Sequence, residues 1–391
     1  MSTRSQESQP LRILLTIHHD LEFNAGAPGS TLRMADSLRA LGHAVSVVGF
    51  EALQRPWHPQ FLPLLFPFRM GADVARVLHR HEVDVVEAST GDLWTLPRPF
   101  IARSFGVLIT RSHGLEHLAH HQNVEAARQG DLALRRRYFV YHGGIRLRQV
   151  ARSLQIADAA LFMNPHERQW AIDHLAISAE RSSVIRNGIS GELLGLPAPG
   201  PSSKVDRIRI AVLGGFLERK GAPTAAAVLS RLLRDNLDWG ASWFGAEPES
   251  VRSVLDPGVS ERVNILSRYD QTEIPRLLAG HQILLFLSHF EGFPLAPLEA
   301  MACGLAVVAS DIPGPSDIIR AAGGGVLVPS GDVDVIAEAV IRLVADRYNL
   351  DLIRAQAHES AQRFAWADIA SERETLYRVL LDKKRRESLQ L

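Results

Sequence analysis

Short apolar runs recur along the chain, separated by stretches whose apolar residues repeat at helical spacing. Runs at 11–17, 44–48, 83–87, 107–110, 157–163 and 184–189 each predict a strand, as do those at 208–213, 241–245, 263–266, 283–287, 306–309 and 323–328. Most lack the apolar/polar alternation of a half-exposed strand, which predicts parallel strands buried on both faces. Between the first two runs Leu32, Ala35, Leu38 and Leu41 mark a helix, with Ser30 or Thr31 as its cap and Gly42 as its stop. This alternation is that of a doubly wound α/β domain. The segment 196–204, LPAPGPSSK, concentrates proline, glycine and serine and divides two such sets. The chain therefore reads as a domain over 1–195, a linker over 196–206, a second domain over 207–370 and a terminal helix over 371–391 that can pack back on the first domain. The pattern from Phe364 to Arg386 is amphipathic and ends basic, as suits a helix C-terminus.

Length agrees with two domains, because 391 residues exceed what one core usually serves. Lys+Arg and Asp+Glu are both 43, so the overall charge gives no reason to expect a nucleic-acid partner. The single cysteine, Cys303, excludes an intramolecular disulfide and sits on an apolar helix face, where packing outweighs thiol reactivity. The opening residues MSTRSQESQP lack the apolar core of a signal peptide, and no run of about eighteen apolar residues occurs, so the expected location is the cytoplasm. Pro63 and Pro67 interrupt the apolar segment 61–68. The basic, aromatic stretch 135–152 is either a solvated helix face or a surface that meets anionic lipid peripherally at the inner face of a membrane.

Candidate chemistry concentrates where strands end. The run 283–287 leads into a loop with Glu291, Gly292, Phe293 and Pro294, then a helix from Leu295 that carries Glu299. Two carboxylates thus share one strand-loop-helix unit at the sheet edge where open parallel sheets bind ligands. After the run 208–213 come Gly214, Gly215 and, at a helix start, Arg219 and Lys220. Lysine is scarce here, and a compact cation beside a glycine turn suits a phosphate, although a solvated charge is the plainer alternative. His113, beside Gly114 after the run 107–110, either meets a ligand at the sheet edge or is a surface-loop histidine. The loop with Gly26 and Gly29 either lets backbone N–H groups approach a phosphate or sugar or is simply a surface loop.

Other chemistries fit less well. Glu51 follows the second strand, where an acid could hold a ribose, yet G-x-G-x-x-G spacing is absent, as is the phosphate loop of ordinary ATPases. His117, His120 and His121 match no zinc spacing. Asp332 and Asp334 are better explained by helix capping than by metal.

Four motifs in order resemble those of one family. EGFPLAPLEAMACGLAVVAS resembles the E-x7-E signature of retaining glycosyltransferases of the GT-B fold, glycosyltransferase family 4. RNGI at 186–189, GGFLERKG after the first strand of the second half, and LGHAVSVVG in the first half are similar to further elements of that family. The resemblance implies two Rossmann-like domains facing each other across a cleft, and transfer of a sugar from a nucleotide diphosphate donor to an acceptor hydroxyl. The acceptor would be a saccharide, a lipid-linked sugar or a small molecule in polysaccharide, glycolipid or glycoconjugate synthesis. It implies that Glu299 holds the ribose, Glu291 contacts the donor sugar, and Gly292, Phe293, Pro294 and Leu295 hold sugar and phosphate. Lys220 would meet the diphosphate, His113 would border the reacting centre, and Gly29 would complete the phosphate site. No metal and no cofactor beyond the donor are expected. Gly215 stands where the family usually has arginine, with Arg219 as a candidate substitute, and Pro294 replaces a common glycine. That lost arginine motivates the alternative of a non-catalytic partner protein that binds sugar nucleotides.

Overall fold

A computed structural model describes residues 9–53, 58, 61–104, 106–129, 133–202 and 207–388. The chain divides into two compact units. One contains residues up to Arg186 and from Trp366 onward, and the other spans Asn187–Ala365.

In the first unit, β1 (Arg12–Thr16), β2 (Ala44–Val48), β3 (Val85–Ser89), β4 (Val107–Arg111), β5 (Ala159–Phe162) and β6 (Ser182–Val184) form one parallel sheet in the order β2-β1-β3-β4-β5-β6. Strands β3, β4 and β5 are buried throughout; β5 is an unbroken apolar run, while β3 and β4 also bury Glu87, Ser89, Thr110 and Arg111. The chain leaves β1 toward β2 and then returns to place β3 on the other side of β1. Between β1 and β3 the order of connection therefore reverses, and such a point opens a crevice at the carboxyl ends of the strands. The final helix Trp366–Ser388 belongs to this unit, where its Arg373 and the hydroxyl of Tyr377 both donate to the buried carboxylate of Glu87. Lys384 on the same helix donates to the carbonyls of Ile101 and Gly106 and to Asp158, each at 2.8 Å.

The second unit holds β7 (Arg209–Leu213), β8 (Gly240–Phe244), β9 (Val263–Leu266), β10 (Ile283–Phe286), β11 (Ala306–Ser310) and β12 (Gly325–Val328), parallel in the order β12-β11-β10-β7-β8-β9. Its reversal lies between β7 and β10. The core joins Ile210, Val212, Ile283 and Leu285 from these strands to Leu229 and Leu232 of the helix Ala222–Asp235 and to Ile336 and Val340 of the helix Val333–Ala345. Asp332 caps the latter by accepting from the N–H groups of Asp334 and Val335, the capping role its position predicts.

Several local expectations change. The first helix begins at Gly26, not after Ser30 or Thr31, whose hydroxyls instead donate to the Ala27 carbonyl inside it. The segment 184–189 is no strand: β6 ends at Val184, and only Ile189 forms a bridge, to Ala365. The prolines at 63 and 67 sit within the helix Leu62–His79. Part of the proline-rich segment 196–206 lies outside the described residues; its described part belongs to the second unit, where Arg354 donates to the Gly200 carbonyl. Among the described residues, no helix is long and apolar enough to cross a membrane.

Candidate functional site

The reversal between β7 and β10 gathers the second unit's candidates. Lys220 ends a short turn, Glu218–Lys220, after β7. Gly221 follows with a φ of +66°, and a side chain there would place its Cβ 2.0 Å from the Leu287 carbonyl oxygen. Only glycine fits both the left-handed backbone and that approach. The turn is thus pressed against the exit of β10, and the His289 N–H donates to the Arg219 carbonyl at 2.9 Å. In consequence the Lys220 ammonium donates to Glu291 Oε1 at 2.5 Å and lies 5.7 Å from the centre of the Phe286 ring. With side chains 26% and 11% exposed, this pair is screened less than a surface pair.

The loop that carries Glu291 is held from two sides within the unit. Asn187 of the RNGI element donates to the Phe293 carbonyl at 3.2 Å, and Gly314 approaches so closely that a Cβ there would lie 2.6 Å from the Gly292 carbonyl oxygen. Pro294, extended, precedes the helix Leu295–Ala302. Glu299 on that helix is buried, and burial together with its charge pushes the Cys303 thiol up to about 12, so the thiol stays protonated. Gly215 leaves room for a side chain, its nearest neighbour from a built Cβ being the Gly245 carbonyl at 3.6 Å, while the Arg219 side chain is exposed.

In the first unit, His113 follows β4 and its Nε2 lies 3.2 Å from the Ser89 hydroxyl at the end of β3. Burial, then the nearby Arg111 charge, hold its pKa well below the usual histidine range, so it is a neutral ring. Ser112 fixes the turn by accepting from the Gly114 N–H and donating to buried Glu167. Burial pushes Glu167 up to about 7 against the lowering effect of hydrogen bonds from Leu115, Ser112 and Met163. Gly29 departs from the loop expected for it. It lies inside the helix Gly26–Ala40, its N–H donates to the Ala25 carbonyl at 3.0 Å, and a Cβ there would sit 2.2 Å from the Phe23 carbonyl oxygen. Its N–H is therefore engaged in the helix, and the glycine is needed for close packing of Phe23. Glu51, considered for a ribose, accepts from the Gly49 N–H at 2.7 Å.

Sequence reasoning missed a network at the first sheet's reversal. Thr16 at the end of β1 donates to Asp92 Oδ2 at 2.7 Å, and Asp92 Oδ1 lies 2.7 Å from Nδ1 of His18. His18 Nε2 lies 2.9 Å from an Arg146 nitrogen that also donates to the Thr90 carbonyl at 2.8 Å and to Glu116 Oε1 at 2.9 Å. The network's one local signal is the place of His18, directly after the apolar run 11–17. Its partners come from positions 74 and 128 residues away. Among the described residues, no three histidine, cysteine or acidic side chains are grouped to hold a metal.

Residues 207–346 match the family described as glycosyl transferases group 1. The chain is 30% identical over 233 residues to an exopolysaccharide phosphotransferase of Streptomyces coelicolor, a match covering 58% of this chain and 24% of that protein. It spans less than two thirds of the length of the first curated relatives it matches. Sucrose-phosphate synthase from Thermosynechococcus elongatus superposes with a TM-score of 0.76 at 20% identity, covering 95% of this chain and all of that one. HepE of Anabaena, solved with UDP and glucose, superposes at 0.66 and 20% identity over 94% of this chain and 99% of its own. Two parallel six-stranded sheets flanked by helices, one of them within the matched region, give a chain of the GT-B fold whose residues 207–346 match the family described as glycosyl transferases group 1.

Proposed function

We propose that the protein is a retaining glycosyltransferase of family 4, a hexosyltransferase that moves a sugar from a nucleotide diphosphate donor to an acceptor hydroxyl. The observation that carries this reading is the Lys220–Glu291 pair at the reversal of the second sheet, inside the matched segment. A carboxylate offers two acceptor oxygens to a ribose diol, which is the role of Glu299. Lys220 offsets the charge that develops on the diphosphate as the bond to the anomeric carbon breaks, with Arg219 as a second cation. Glu291 orients Lys220 and meets the donor sugar. Neutral His113 accepts or donates one hydrogen bond near the reacting centre. The acceptor oxygen forms the new bond on the face the diphosphate leaves, and its proton passes to a diphosphate oxygen. The reading includes no metal and no further cofactor. Its setting is the cytoplasm, in polysaccharide or glycolipid synthesis. Contact with anionic lipid falls to exposed Phe139, Val140 and Ile145, which share their stretch with Arg136, Arg137 and Arg148.

UDP in the related HepE structure makes UDP-sugars the first donors to try. The test is nucleotide release from UDP-, GDP- and ADP-sugars with and without acceptors, followed by determination of the product's anomeric configuration. Release that depends on an acceptor and is lost in Glu299→Ala supports the reading. Binding without release across the panel favours a non-catalytic binding protein, and an inverted product overturns retention.

A further inference from the structure

We infer that a cavity in the first unit is built for an uncharged polyhydroxyl compound, a sugar or polyol without a phosphate. Its use as the acceptor site rests on the glycosyltransferase reading above; the ligand class rests on the cavity alone. The cavity, of about 470 Å³, is lined among others by His18, Phe50, Glu116, Tyr138, Tyr141 and Arg146. It opens where β1, β2 and β4 end, and its volume is in the range of small-molecule sites.

Charge argues against a phosphate. Arg146, the one arginine among the described lining residues, is buried, donates through Nη2 to Glu116 and the Thr90 carbonyl, and lies 2.9 Å from His18 Nε2. His18 stands between Asp92 and Arg146, its Nδ1 2.7 Å from Asp92 Oδ1 and its Nε2 2.9 Å from Arg146, so it already faces a carboxylate of its own. The remaining histidines of the lining, His19, His120 and His142, all have pKa values lowered, in each case mainly by burial. Arg146 and Glu116 cancel, and among the described lining residues no cation is left over for a phosphate.

Unmet hydrogen bonds argue for hydroxyls. Among the described residues, Glu116 Oε2, the Tyr141 hydroxyl and Arg146 Nη1 are buried without a partner. They offer an acceptor, a group that both gives and accepts, and a donor. Sugar hydroxyls give and accept, whereas a phosphate dianion only accepts and would meet the Glu116 carboxylate with repulsion. The aromatic wall suits the apolar face of a sugar ring: Tyr138 stacks with His120 at 5.6 Å and with His142 at 5.5 Å between ring centres.

Backbone details show that this arrangement is built rather than incidental. Tyr141–Arg146 forms a π-helical turn, a feature common at functional sites, between the helices Arg136–Val140 and Leu147–Ile156. Gly143 in that turn admits the His120 ring, whose Cε1 would lie 2.6 Å from a Cβ at this position. Gly91, with a φ of +79°, likewise admits the Arg146 guanidinium, whose Nη1 would lie 2.4 Å from a Cβ there.

The test is saturation-transfer NMR on the full chain with glucose, mannose and myo-inositol, each paired with its monophosphate. At least one neutral probe should bind about tenfold more tightly than its phosphate. Glu116→Gln leaves Arg146 uncompensated and should reverse that ranking. If Glu116→Gln does not fold, Tyr141→Phe takes its place and should weaken the neutral probe about threefold or more without strengthening its phosphate. Tighter binding of the phosphates by the natural protein overturns the inference, as does a failure of every neutral probe to bind or an unchanged ranking in the folded Glu116→Gln variant. Nucleotide-sugar turnover, measured separately, reports on the transferase reading: its absence with neutral-sugar binding intact sinks that reading and leaves the ligand class standing.

Discussion

Lys220 and Glu291 stand 71 positions apart in the chain and 2.5 Å apart in the fold, because β7 and β10 are adjacent strands and Gly221 lets the Lys220 turn touch the exit of β10. An ammonium held by a carboxylate at a sheet's reversal is oriented before any ligand arrives. Such preorganisation is where electrostatic catalysis is strongest.

If Lys220 meets the leaving diphosphate, Lys220→Ala should lower kcat about 100-fold. Nucleotide release under saturating donor measures this. A kcat within about threefold of the natural protein would remove Lys220 from the reaction.

Gly221→Ala should destabilise the protein by about 2–4 kcal/mol, combining left-handed strain with a clash against the Leu287 carbonyl. Urea unfolding gives the number. Gly215→Ala, whose Cβ would meet only ordinary contacts at 3.6 Å and beyond, should change stability by less than about 0.5 kcal/mol, so the pair of variants separates local strain from a general loss of glycine.

Glu87 accepts from Arg373 and Tyr377 and pairs with Arg111 at 3.1 Å, all in the interior of the first unit. Burial works against its charge, and the two arginines outweigh that effect, keeping its pKa below the usual range. Glu87→Leu should cost about 3–5 kcal/mol, because two buried guanidinium groups lose their counter-charge. The exposed pair Arg12–Asp84 gives the contrast: Arg12→Ala should cost about 1 kcal/mol or less. Similar losses in the two variants would contradict this account.

Glu167 provides a pH signature. Its pKa is raised from 4.5 to about 7 in the fold, so between those values the native state binds the extra proton. Stability is then highest below the lower value and falls as pH rises through about 7, by up to about 1.4 kcal/mol per pH unit inside the window. Thermal unfolding at pH 5, 6, 7 and 8 should show the decline. Glu167→Gln should flatten it, and a decline that survives the substitution assigns the effect to another group.

Much of the architecture was legible in the chain because buried parallel strands need unbroken apolar runs. Ile283–Phe286, buried at every position, falls where the pattern puts it. Errors arose where tertiary contacts override local signals. Ser30 and Thr31 looked like caps, but the helix begins a turn earlier and their hydroxyls turn inward to the Ala27 carbonyl. At 184–189 only Val184 pairs in the sheet, with Phe162 of β5, and Ile189 makes one isolated bridge to Ala365.

The sequence by itself determined the two α/β units, the segment rich in candidate chemistry and the identity of Glu291, Glu299, Lys220 and His113 as residues to watch, because strand exits and glycine turns are local features. Only the tertiary structure decided strand order, and with it that Lys220 meets Glu291 and that His18, Asp92, Arg146 and Glu116 form one network. The physical reason is that these partners are brought together by hydrogen bonding between strands distant in sequence and by glycines whose missing side chains permit the approach, neither of which leaves a periodic trace along the chain.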